Sequence, residues 1–226
     1  MCNSLYAGEM EQVHRIAVAA SGVPPRYFLW RNRFEARGEA ATGLLGAATA
    51  WVAGYVPGKS LGWALTGCVG CGKSHLAAYM AQTVMRRYPW GSSPRVRVLW
   101  QGVPALFMRI RGTYGDNAVE CEWDIMQAMS APDLLILDDM GVERPKVWVL
   151  EILYNILNER GNAGKTTCYT SNLSGAKLQK RLSEGTDGKD GDPDLAARII
   201  SRMAGDSKKF PVAFPAVDFR TTKVVA

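Results

Sequence analysis

The residues Gly67-Cys68-Val69-Gly70-Cys71-Gly72-Lys73-Ser74 fit the pattern G-x-x-x-x-G-K-[ST] at every fixed position. The chemistry of that pattern is phosphate binding. Its glycines let backbone N–H groups turn inward around a polyphosphate, Lys73 can reach the β- and γ-phosphates, and the Ser74 hydroxyl can hold Mg²⁺. A helix opening at this point adds the positive end of its dipole. The expected nucleotide contacts are therefore Gly67, Cys68, Val69, Gly70, Cys71, Gly72, Lys73, Ser74 and His75. A chance match in a glycine-rich turn would lack flanking elements. Here a β-like run precedes the loop, and a helical stripe of Leu76, Ala77, Met80 and Val84 follows it.

Three further groups suit the same chemistry. Leu134-Leu135-Ile136-Leu137-Asp138-Asp139 is an apolar run ending in two acids, as a buried strand would deliver them to the edge of a sheet. Asp138 is expected to hold Mg²⁺ through water, and Asp139 to orient or deprotonate the attacking water. Asn172 closes a later strand, Thr170-Ser171-Asn172, where its side chain can bond a γ-phosphate or that water. By itself Asn172 reads equally well as a turn residue. Arg198 and Arg202 stand four apart and so share a helix face. An arginine supplied in trans stabilises a transferring phosphoryl group; the plain alternative is a solvated pair in weak ion pairs.

These groups need a scaffold that gathers strand ends. From about residue 60 onward, short β-like runs alternate with helical patterns, the mark of a parallel sheet covered by helices. Strands are expected at 60–66, 95–101, 134–137, 166–171 and 211–214. Helices are expected to follow the loop up to Arg87, at 103–111, up to about Met129, around 150–161 and at 193–203. The expected fold class is α/β: a three-layer P-loop NTPase with a five-stranded parallel sheet and helices on both faces, and no full lid domain is expected. Residues 39–52 form an Ala-rich helix ahead of the core, and the Gly- and Asp-rich stretch 183–192 reads as a mobile loop. The expected division is an N-terminal extension, 1–35, and an ATPase domain, 36–226.

Composition narrows the setting. Among 226 residues, 47% are hydrophobic and 21% charged, ordinary for a globular chain. No apolar run approaches the roughly 18 residues of a membrane span. The first 20 residues lack the pattern of a signal peptide, so a reducing cytoplasm is expected. Cys68 and Cys71 form a CxxC, but there is no second pair and the only histidines are His14 and His75, so neither zinc nor a disulfide framework is expected. A net charge of +6 favours an anionic partner such as nucleic acid.

GCVGCGKSHLAA, LLILDDMG, the TSN strand end and RIISRM occur in this order and spacing. Together they resemble the AAA+ ATPases of the DnaC/DnaI helicase-loader and IstB-like family. Residues 21–28 (SGVPPRYF) are similar to the segment that precedes the ATPase core there, so the likeness runs from Ser21 to the C-terminus. The resemblance implies ATP/ADP and Mg²⁺ as cofactors and a homo-oligomer with nucleotide between subunits. It implies Arg198 as the arginine finger and Arg220 as a second sensor. It implies single-stranded DNA and a replicative helicase, or another DNA-processing protein, as partners. The matching DNA-contact stretch offers Arg144, Lys146 and Trp148 from GVERPKVW, and the region interrupted by the polar stretch 112–117 offers Arg109, Arg111 and Tyr114. Cations tracking phosphates beside aromatics for base stacking suit sequence-tolerant binding; Trp148 reads equally as a core residue.

The pattern departs from the family at two points. Only about 20 residues precede Ser21, too few for the separate helicase-gripping domain of many loaders. An excised domain, a shortened version and a different mode of partner contact all stay open. Asp139 stands where many AAA+ proteins carry Glu, which fits slow, switch-like hydrolysis. Competing readings are a transposase-helper ATPase acting on duplex DNA, a small-molecule P-loop kinase, and a non-hydrolysing adaptor.

Overall fold

The computed structural model describes residues 2–30, 35, 39–89, 91–114, 118–184, 191–207 and 211–213. Five strands, β1 (Ala64–Thr66), β2 (Val98–Gly102), β3 (Leu134–Met140), β4 (Thr166–Ser171) and β5 (Pro211–Ala213), form one sheet in the order β2-β3-β4-β1-β5. Every neighbouring pair is parallel. This order inserts β4 between the strand that feeds the phosphate loop and the strand that carries the acids. All three strand ends thereby open on one edge of the sheet, where α/β folds place ligands.

Alternation along β3 shows why the layers form. Leu134 and Ile136 face a core built with α1 (Cys2–Ala20), α2 (Glu39–Gly54) and α3 (Lys73–Arg87). Leu135 and Leu137 face a second core with α4 (Val103–Gly112), α5 (Glu122–Ser130), α6 (Val147–Asn162), α7 (Gly175–Ser183) and α8 (Pro193–Ser207). Successive strand side chains point to opposite faces, so a continuous apolar run is what a strand covered on both sides requires. The sandwich of helix, sheet and helix matches the expected class.

Two strands begin later than the sequence pattern indicates. Residues 60–63 precede β1 because the carbonyls of Ser60 and Leu61 accept from the Thr166 hydroxyl at 2.8 Å and the Trp51 indole at 3.0 Å. Ahead of β2, the Arg97 N–H donates to the Asp133 carboxylate at 2.7 Å instead of joining the ladder. Conversely, β3 runs past Leu137 to Met140, so both acids lie within the strand. α1, α7 and a 3-10 turn at Pro25–Tyr27 have no counterpart in the sequence reading. Val18, Val23 and Phe28, all ahead of residue 35, are buried in the first core. Part of the 183–192 stretch, residues 185–190, and Arg220 lie outside the described residues.

Candidate nucleotide site

The loop between β1 and α3 is shaped by its glycines. Gly70 and Gly72 have φ of 78° and 95°. A Cβ at Gly72 would meet no atom within 4 Å, so the backbone conformation, and not space, demands glycine there. Gly72 is the residue before α3, and the helix opens at Lys73. Lys73 is 5% exposed, and its ammonium donates to the carbonyls of Gly67 at 3.1 Å and Cys68 at 2.6 Å. The Cys71 thiol donates to the Cys68 carbonyl at 3.0 Å, and burial, foremost, raises its pKa. Both cysteines are free thiols, and the described residues hold no metal-binding group of three or more His, Cys, Asp or Glu.

Asp138 is where three elements meet. Its Oδ1 accepts from the Ser74 hydroxyl at 2.8 Å and from the Thr170 hydroxyl at 2.6 Å. The side chain is buried, and this desolvation raises its pKa above the ordinary value. The hydrogen bonds from Thr170 and Ser74 oppose the shift, the Asp139 charge adds to it, and the Arg26 charge opposes it. A buried carboxylate beside a hydroxyl is a hard oxygen pair that fits Mg²⁺.

The next residue bends the strand. Asp139 has φ of 62°, the only non-glycine with positive φ among the described residues, and the β3–β4 register shifts between Leu137 and Met140. Its N–H donates to the Thr170 hydroxyl at 3.0 Å, which anchors the bend. Such a conformation is costly for a residue with a side chain and persists where its surroundings enforce it. Asp139 and Asn172 line a cavity of about 560 Å³ together with Val69, Gly70, Lys73 and Ser74. His75 borders it as well. The phosphate loop, Asp139 and Asn172, read separately from the sequence, therefore line one pocket, and Asp138 is joined to it through the Ser74 hydroxyl. Thr170, which joins Asp138 to the bend at Asp139, and Arg26, which also lines the cavity, carry no motif signal of their own in the sequence.

Arg198 and Arg202 stand elsewhere. Both are exposed on α8 and border a separate surface depression with Tyr154. The six candidate DNA contacts lie on two stretches that touch each other. Arg111 on α4 pairs with Glu143 at 3.0 Å, and the Tyr114 ring lies 4.5 Å from that of Trp148. Arg109 bonds Glu120 at 3.2 Å, Arg144 pairs with Glu184 at 3.1 Å, and the Tyr114 hydroxyl donates to Glu122. Lys146 is exposed and immediately precedes α6, whereas Trp148 is half-buried against the second core.

A phosphate loop ahead of a helix, an acidic strand end and an inserted polar strand together define a P-loop nucleotide-binding protein of the AAA+ class. The family model described as IstB-like ATP binding protein matches residues 59–221, and the chain belongs to that family. It is 25% identical over 138 residues to the replicative helicase loader DnaC of Buchnera aphidicola subsp. Acyrthosiphon pisum, covering 61% of this chain and 48% of that protein. The chain thus spans about half the length of the curated relative it matches. Among solved structures it is similar to the DnaC helicase loader, with a TM-score of 0.67, 19% identity, and coverage of 85% of this chain and 100% of that one. It is also similar to DnaI, with a TM-score of 0.64, 24% identity, and coverage of 80% and 88%. No helix among the described residues is long and apolar enough to cross a membrane.

Proposed function

We propose that this chain is an ATP-driven switch in DNA replication that helps place a replicative helicase on single-stranded DNA. Lys73 and the loop amides hold the phosphates, and Ser74 and Asp138 hold Mg²⁺, which supplies charge neutralisation at the β- and γ-phosphates. Asp139 orients the attacking water, and Asn172 reads the terminal phosphate. Hydrolysis is slow, because an aspartate reaches less far than a glutamate. Arg198, exposed and remote from its own pocket, enters the site of a neighbouring subunit in a head-to-tail assembly. Arg220 acts as a second sensor.

The observation that carries the switch is the path of the chain after Asp139. Val142 borders the nucleotide cavity, and the next residue, Glu143, is bonded to Arg111 on the surface that also holds Arg144, Tyr114 and Trp148. A change at the terminal phosphate therefore has a short route to the proposed DNA contacts. DNA phosphates would take the place of the carboxylates now paired with these arginines. Such exposed ion pairs are weak and exchange at little cost.

Fluorescence anisotropy with labelled single-stranded and duplex DNA, at several salt concentrations and with a non-hydrolysable ATP analogue, tests this reading. The single strand is expected to bind more tightly. Replacing Arg111 and Arg144 together by alanine should weaken binding and lower the slope of log affinity against log salt by roughly 1.4, about 0.7 for each lost contact. A preference for duplex would favour a transposase helper instead, and an unchanged slope would remove this surface from the account.

A further inference from the structure

The nucleotide cavity has a wall that neither the glycine loop nor the acidic strand supplies. It comes from the segment that follows α1. The Trp100 N–H of edge strand β2 donates to the Ser21 carbonyl at 2.7 Å. Gly22 has φ of 79°, and a Cβ there would stand 2.7 Å from the Trp100 carbonyl oxygen, so only glycine passes this close. Pro25 then opens the 3-10 turn Pro25–Tyr27. Fully buried Gln82 on α3 clamps that turn, its Nε2 donating to the Tyr27 carbonyl at 2.9 Å and its Oε1 accepting from the Leu29 N–H at 3.0 Å. The Tyr27 ring is fixed in turn, 5.8 Å from the His75 ring and 6.1 Å from that of Trp100.

The outcome of this anchoring is the position of Arg26. It is exposed to solvent and borders the same cavity as Lys73, Ser74, Asp139 and Asn172, with its guanidinium 4.8 Å from the centre of the Tyr27 ring. Ser74, Asp139 and Asn172 mark the end of the cavity where the proposed function puts the metal and the terminal phosphate. A planar guanidinium offers paired donors that match phosphate oxygens, and it is never deprotonated at working pH.

We propose that Arg26 contacts the terminal phosphate of ATP from within the same subunit and makes the site favour triphosphate over diphosphate. This rests on the nucleotide-binding reading above. Lys73 serves both nucleotides through the β-phosphate, whereas Arg26 serves only the longer one.

Titration calorimetry on the full chain, with a Mg²⁺-bound non-hydrolysable ATP analogue and with Mg-ADP, tests the assignment in the wild type, Arg26→Gln and Arg26→Lys. The glutamine variant should lose about tenfold or more in affinity for the triphosphate and stay within about twofold for ADP. The lysine variant should recover part of the loss. Equal losses for both nucleotides would mean that Arg26 only supports the turn, and no loss for either would mean that it does not touch the phosphate. Both results overturn the inference and leave nucleotide binding intact. A wild type that binds neither nucleotide would overturn both readings.

Discussion

Replacing Lys73 by alanine is expected to abolish the stabilisation of this protein by ATP and to reduce hydrolysis by about 10²–10³-fold or more, the scale for removing a preorganised charge from a reacting phosphoryl group. The buried ammonium lies against the carbonyls of Gly67 and Cys68, so it is held inside the loop before any phosphate arrives. A ligand at a hundred times its dissociation constant stabilises by about 2.7 kcal/mol, which for a chain of this size raises the melting temperature by roughly 5–10 °C. Thermal melting with and without MgATP should show that rise in the wild type and none in Lys73→Ala. A variant that keeps the full shift would place the nucleotide elsewhere.

Arg160 should give the largest loss of stability away from the pocket. It sits at the end of α6 with no exposed surface. Its guanidinium donates to the Thr167 hydroxyl at 2.9 Å and to the carbonyls of Met129 at 2.9 Å, Pro132 at 2.8 Å and Thr166 at 2.6 Å. These partners come from the end of α5, the approach to β3 and the start of β4. One side chain thus sets the alignment of the two strands whose far ends carry Asp138 and Asn172. Replacement by methionine keeps most of the apolar volume but leaves several buried acceptors without donors, at a cost of about 3–5 kcal/mol. The melting temperature should fall by roughly 6–20 °C. Arg160→Lys should recover only part, because one ammonium cannot reproduce the planar fork. A methionine variant melting within a degree or two of wild type would contradict this assignment.

The sequence was most informative where a local pattern has one physical use. The glycine loop, the apolar run ending in Asp138 and the strand before Asn172 could each be read within a few residues, and the parallel sheet then brings them together. What stayed hidden depends on partners distant in the chain. Thr170 reads as an ordinary strand residue until β4 lies beside β3 and its hydroxyl meets Asp138. The positive φ of Asp139 carries no local signal, since glycine is the residue that usually marks such a position. The helix α7 has only Leu178 and Leu182 buried, too short a stripe to stand out in a polar stretch. Two cations proposed to contact DNA already have protein partners: Arg111 and Arg144 pair with Glu143 and Glu184, and Arg111 reaches across 32 positions to do so. Arg26 came to the pocket through Gln82, more than 50 residues away.

In the proposed switch, the ATP site is shared between subunits and responds to DNA. The most direct test is the rate of ATP hydrolysis by the wild type and by Arg198→Ala, with and without single-stranded DNA, over a range of protein concentrations. Turnover per chain is expected to rise with concentration, to respond to the strand, and to collapse in the variant while ATP binding persists. A rate that depends on neither concentration, DNA nor Arg198 would contradict the account and point to a self-contained site with a small-molecule phosphoryl acceptor.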